Sequence, residues 1–261
     1  MIVALCVLLA APCTAAAGRP ATTSDTIRLE VGAKEVNGRV YSPHAARVRV
    51  YVGSLDTPPT AEWTNELTLG DSAGRRVMRW VTKGTRTAPG GATTTWELRQ
   101  TYDAVTLAPY GYHAKSSNGG YTQLTLDGPR VRGTKRTPGD TLVQAVDVML
   151  DRPGFVASAS DLVPAAVGLK EGTVIIAPFW SPAMTKAELR IFSVLGRVSV
   201  NVEGSEVSAW KVEERRHADH QLLATWYLMD TSPYMVYGEV PLPNGQVQRM
   251  TEVAIPMSDG R

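Results

Sequence analysis

The sequence predicts a mainly antiparallel β protein, and three observations carry that expectation: a period-two alternation of apolar and polar residues, Asx-Gly and Gly-Gly pairs set between the alternating runs, and a shortage of helical signals. The alternation begins at Thr26. Ile27, Leu29, Val31 and Ala33 alternate with Arg28, Glu30, Gly32 and Lys34, and Val48, Val50 and Val52 with Arg47, Arg49 and Tyr51. From Thr93 to Thr106 the pattern is longest: Trp96, Leu98, Gln100, Tyr102 and Ala104 share one face, Glu97, Arg99, Thr101 and Asp103 the other. Successive side chains of a strand point to opposite sides, so each run reads as a strand with one wet face. Strands covered on both faces would instead read as unbroken apolar runs, which argues for antiparallel pairing. Further strands are expected at Trp63 to Leu69 and Arg75 to Thr82.

The turns fall between these runs. Gly90-Gly91, Asn118-Gly119-Gly120, Asp127-Gly128 and Asn244-Gly245 supply residues that tolerate the positive φ of tight hairpins. A hairpin from Val207 to Asp230 should turn near Ala218-Asp219. The best helix lies at Ser160 to Gly168, with Ser160 or Asp161 to cap it, Gly168 to end it and Pro164 confined to its first turn. The stretch from Asp151 to Pro182 interrupts the strands and should pack on their shared sheet. With no long linker and no fixed-period repeat, residues 26–257 read as one β domain.

The start of the chain differs. Ile2 to Ala11 is apolar and is followed by Pro12 and Ala15-Ala16-Ala17-Gly18, the arrangement of a cleaved export signal. Residues 1–17 are therefore expected to be a signal peptide, residues 18–25 a flexible mature N-terminus, and the protein to be exported to the periplasm or cell envelope. The apolar run is too short to span a bilayer, so no integral membrane span is expected. Both cysteines, Cys6 and Cys13, lie here, and cleavage after Ala17 leaves a thiol-free domain without disulfides. Lipid attachment at Cys13 is the alternative, disfavoured by Pro12 just before it. A net charge of +2 gives no electrostatic case for a nucleic-acid partner.

Catalytic motifs are missing: no G-x-S-x-G, no phosphate-binding glycine loop, no H-E-x-x-H. His217, Asp219 and His220 could ligate a metal in principle, but their setting reads as a polar hairpin end. Asp147, among Val146, Val148 and Met149, reads as a solvent-facing carboxylate. The expectation is accordingly no enzyme, no metal and no cofactor. Six tryptophans are spread along the strands, at 63, 80, 96, 180, 210 and 226. Aromatics on a curved sheet either form its core or line a ligand site. Phe179-Trp180-Ser181-Pro182-Ala183-Met184 stands out as an aromatic and Met cluster at a Pro-containing strand end, where a mouth or lid would sit.

In the C-terminal half, Val207-Ser208-Ala209-Trp210-Lys211-Val212-Glu213, then Thr225-Trp226-Tyr227-Leu228, then Ser232-Pro233-Tyr234-Met235-Val236 and a closing strand near Ile255 follow in order. This series, with the short helix ending at Leu169-Lys170-Glu171-Gly172 upstream, resembles a family of bacterial periplasmic proteins. That family is similar in fold to the lipoprotein-localisation half-barrels, the periplasmic carrier and its outer-membrane receptor. The resemblance covers roughly Trp63 to Ile255. It implies a strongly curved antiparallel sheet, a half-barrel or open barrel, with one or two short helices over its concave face. It also implies an apolar or amphiphilic ligand such as a lipid or a lipoprotein acyl chain, and no catalytic residue. Trp96, Leu98 and Tyr102 should then face the concave side. The candidate ligand-binding residues are Trp96, Tyr102, Phe179, Trp180, Met184 and Trp226. The alternatives are a structural protein that pairs with an envelope partner through an edge strand and, less favoured, an exported hydrolase.

Overall fold

The computed structural model describes residues 25–257 apart from residues 73, 88–90 and 92. The expected signal peptide, both cysteines and Gly90 lie outside the described residues. Strands β1 (Thr26–Arg28), β2 (His44–Val52), β3 (Ala61–Ser72), β4 (Arg75–Thr87), β5 (Thr93–Asp103), β6 (Pro109–Ser116), β7 (Tyr121–Asp127), β8 (Arg130–Arg136) and β9 (Gln144–Met149) come first. The two-residue β10 (Phe155–Val156) and helix α1 (Leu162–Val167) follow. The chain then returns to strands with β11 (Val174–Trp180), β12 (Glu188–Val202), β13 (Ser205–Arg216), β14 (Leu222–Leu228), β15 (Met235–Pro241) and β16 (Val247–Ile255).

All of these strands belong to one curved sheet that does not close. Its order is two meanders, β11 to β16 and β2 to β9, joined where β16 pairs antiparallel with β2 from Gln248↔Val52 to Ile255↔Ala45. The expected hairpins at Asn118-Gly119-Gly120, Asp127-Gly128, Ala218-Asp219 and Asn244-Gly245 are all present. Two expectations change. The strand predicted over Ile27 to Ala33 stops at Arg28 and pairs parallel with β11, because a turn closed by Ala33 N–H on Glu30 O leads the chain away from the sheet. The strand predicted to reach Thr106 ends at Asp103, whose carboxylate accepts from the backbone N–H groups of Val105 and Thr106 and so fixes a turn.

The concave side is largely filled. Leu162, Val163 and Ala166 of α1 pack with Leu67, Met78, Tyr102, Phe192 and Val212 from strands on both flanks. Tyr41 Oη donates to the Leu162 carbonyl and the Asn37 N–H to that of Ala166, which fastens the helix as a plug. Gly168 ends the helix as expected, whereas Asp161 makes no capping bond and Ser160 instead donates to Glu214. Where strand pairing stops, side chains bridge the gap: Trp180 at the end of β11 packs with Leu124, Leu126 and Val131 of the far wing.

A second, smaller core lies on the convex face. The register shift at Val194/Gly196 bends the long β12–β13 hairpin back across the sheet. Val202 and Ala209 then pack with Tyr227, Tyr237 and Val253. At its tip Glu203 bonds Arg49 of β2 at 2.9 Å. Among the described residues no helix is long and apolar enough to cross a membrane.

Candidate functional site

One part of the concave side stays open. Beyond the plug, the inward faces of β3, β4, β5, β14, β15 and β16 surround a recess of about 220 Å³. Its walls are Trp63, Trp80, Trp96 and Trp226, with Leu98, Met235 and Met250. Two glycines leave space for these rings. A Cβ on Gly84 would stand 2.7 Å from Trp63 Cβ and 2.9 Å from the Trp96 ring, and one on Gly238 would meet Trp226 at 3.0 Å. The Trp63 and Trp96 rings meet edge to face, centroids 5.8 Å apart, so each offers part of its surface to the opening. Trp63 and Trp96 also border a wider inner-face groove of about 820 Å³ running to Val50 and Val52. Trp96 and Leu98 border another of about 310 Å³ running to Tyr112 and Ala114. The recess thus shares its Trp63, Trp96 and Leu98 walls with two wider grooves whose outer parts are polar.

The floor is polar. Trp80 Nε1 donates to Thr82 Oγ1 (3.1 Å), Thr82 to Asn65 Oδ1 (2.9 Å), and Asn65 Nδ2 to Glu252 Oε1 (3.1 Å). This chain of donors ends on a carboxyl that is only 3% exposed. Burial pushes the Glu252 pKa up to about 8, and the nearby Asp161 carboxyl adds to the rise. Asp161, at the head of α1, lies deep in the molecule yet stays partly open to the recess. Burial raises its pKa to about 7, with a further push from Glu214. Glu214 itself is saturated, accepting from Trp226 Nε1 (2.7 Å), Ser160 (2.8 Å) and Arg190 (2.6 Å). Among the described residues neither Asp161 nor Glu252 has a salt-bridge partner, in contrast to Glu214.

Of the residues singled out in the sequence, the recess brings together Trp96 and Trp226. Tyr102, Phe179 and Trp180 are packed interior: Phe179 stacks between Phe155 and Phe192, and Trp180 is 2% exposed between the wings. The Phe179-to-Met184 segment is the end of β11 and its turn rather than the mouth of this recess. Met184 covers Trp180 and borders a separate surface groove with Asp151 and Arg216. Trp96, Leu98 and Tyr102 do face the concave side, with Glu97, Arg99 and Asp103 opposite. Asp147 is exposed and held by Arg130 at 2.8 Å, and Asp219 ties its own turn to Arg216 and Gln221.

The floor residues Asn65, Asp161 and Glu252 escaped sequence reasoning. A signal was available for Glu252: it shares the inward phase of β16 with Met250, a carboxylate placed where the alternation calls for an apolar side chain. No family model, curated protein or solved structure matches the chain.

Proposed function

We propose that this chain is a non-catalytic binding protein for an amphiphile, a lipid or acyl chain, whose apolar part lies along the tryptophan walls. The observation that carries the reading is the recess: the partly buried Trp63, Trp96 and Trp226, with Leu98, line an opening whose remaining apolar wall, Trp80, Met235 and Met250, belongs to the core. Soluble domains seldom leave such a surface without a partner. The resemblance to the lipoprotein-localisation half-barrels supports an amphiphilic ligand, and the Ile2-to-Ala17 segment supports an envelope location where such ligands abound.

Intrinsic tryptophan fluorescence tests the reading, because the probes are the walls themselves. Titration with single-chain amphiphiles below their micelle-forming concentration should change the emission saturably. Trp96→Ala and Trp226→Ala should each weaken binding by about tenfold or more, from the loss of one large apolar contact. Unchanged emission, or unchanged affinity in both variants, would remove the recess from the ligand's path.

A second reading has its own observation. Among the described residues β9 leaves one edge unpaired, and Met149 on it and Leu142 and Val143 just before it are exposed, so an envelope protein could add a strand there. A proline at Ala145 that abolished a partner's binding while leaving amphiphile binding intact would favour it.

A further inference from the structure

We infer that the recess selects a positively charged headgroup, an organic ammonium, held between the tryptophan faces above the two uncompensated carboxyls. The inference rests on the binding reading above and names the charge of the ligand. Aromatic faces attract cations through their negative π surfaces, and tryptophan does so most strongly. Beneath the rings, the polar atoms that lack a partner are acceptors, apart from the Tyr102 hydroxyl, which can donate as well as accept. Glu252 receives only the Asn65 amide, Asp161 has no cation beside it, and the buried Gln100 Oε1 has no donor at all. Gln100 belongs to this floor because its Nε2 donates to Ser158 Oγ (2.7 Å), and Ser158 lines the recess.

Size agrees with the charge. At about 220 Å³ the recess equals roughly seven waters at ~30 Å³ each, room for a compact headgroup but below the range of about 300–1,000 Å³ usual for whole drug-sized ligands. A tail attached to that headgroup would leave along Trp63 and Trp96 into the wider groove. The cations that line the outer grooves, Arg86, Lys115 and Arg136, do not line the recess, and Lys115 is paired with Glu97. Arg190, behind the Trp226 wall, is committed to Glu214 and Glu188.

Charge also predicts a pH dependence. A bound ammonium favours the ionised floor, so affinity should climb as pH rises from 6 to about 8.5, across the range where Asp161 and Glu252 lose their protons. The other titratable groups around the floor do not reverse this. Tyr41 and Tyr102 are pushed further above their ordinary value by burial, and Glu214 is paired with Arg190. His44, edge-on to Trp80, is held below its ordinary value by burial, and losing its proton as pH rises favours a bound cation in the same sense.

The test compares dodecyltrimethylammonium, dodecyl maltoside and dodecanoate, matched in tail, by tryptophan fluorescence at pH 8.5, with tetramethylammonium as a tail-free control. The cationic amphiphile should bind about tenfold or more tighter than the other two, a margin in keeping with desolvated cation–π and carboxylate contacts. Asp161→Asn with Glu252→Gln should erase that margin while dodecyl maltoside still binds. Ser158→Lys, which adds a resident ammonium on a solvent-open wall, should exclude the cationic probe alone. Equal binding of all three tails, or a preference for dodecanoate lost in Arg86→Ala or Arg136→Ala, overturns the charge inference and leaves the binding reading standing. Tetramethylammonium binding as tightly as its tailed form keeps the charge inference and overturns the amphiphile. No binding by any probe overturns the recess as a site altogether.

Discussion

Burial at Glu252 becomes a pH dependence of the whole fold. Its pKa rises from an ordinary 4.5 to about 8, and that of Asp161 from 3.8 to about 7. Between the ordinary and the raised values the folded chain holds protons that the unfolded chain has released. Stability is therefore highest at low pH within this window, falls as pH rises through it, and levels off above about 8. Glu252→Gln, which keeps the acceptor for Asn65 but cannot ionise, should match the wild type in urea denaturation at pH 5. At pH 8.5 it should exceed it by on the order of a few kcal/mol. A wild type equally stable at both pH values would show that the floor is wetter than its burial indicates. The tryptophans separate in the same way. Trp180→Ala leaves a cavity between the wings and should cost about 3–5 kcal/mol of stability. Trp96→Ala removes a partly buried wall and should register in ligand affinity more than in the denaturation midpoint.

Elements that keep a strict alternation and end in Asx-Gly pairs could be read from the sequence, because both signals are local. β5 and the hairpins at Asp127-Gly128 and Asn244-Gly245 are of this kind. The turn between β12 and β13 is not. Glu203 and Gly204 both take positive φ (49° and 88°), the geometry of a type I′ turn, and Glu at its first position gives no warning. The recess was half visible. Trp96 and Trp226 drew notice as aromatics on strands, but Asn65, Asp161 and Glu252 come from β3, the head of α1 and β16, and only tertiary pairing unites them. The β12–β13 hairpin also yields a contrast that can be measured. Gly196 at the bulge has φ +121°, and a Cβ there would stand 3.3 Å from the Glu171 carboxyl. Gly196→Val should cost about 1–3 kcal/mol through backbone strain and raise amide exchange between residues 200 and 207. Glu203→Ala loses only partly exposed ion pairs to Arg47 and Arg49 and should cost about 1 kcal/mol or less.

At the scale of the molecule, two meanders become one sheet through a single junction, β16 against β2. β16 is flanked by β15 on one side and β2 on the other, so residues 247–255 occupy the middle of the sheet. They also supply Met250 and Glu252 to the recess. A chain ending at residue 246 should lack cooperative unfolding in circular dichroism, whereas one ending at 257 should retain it. The same placement bears on timing. β16 follows all the other described strands in the chain, so the β15 and β2 edges that it joins stay bare until it has been made. Completion of the sheet therefore waits for residues 247–255. Any product cut short before residue 247 is left open to proteases rather than stored as a stable fragment.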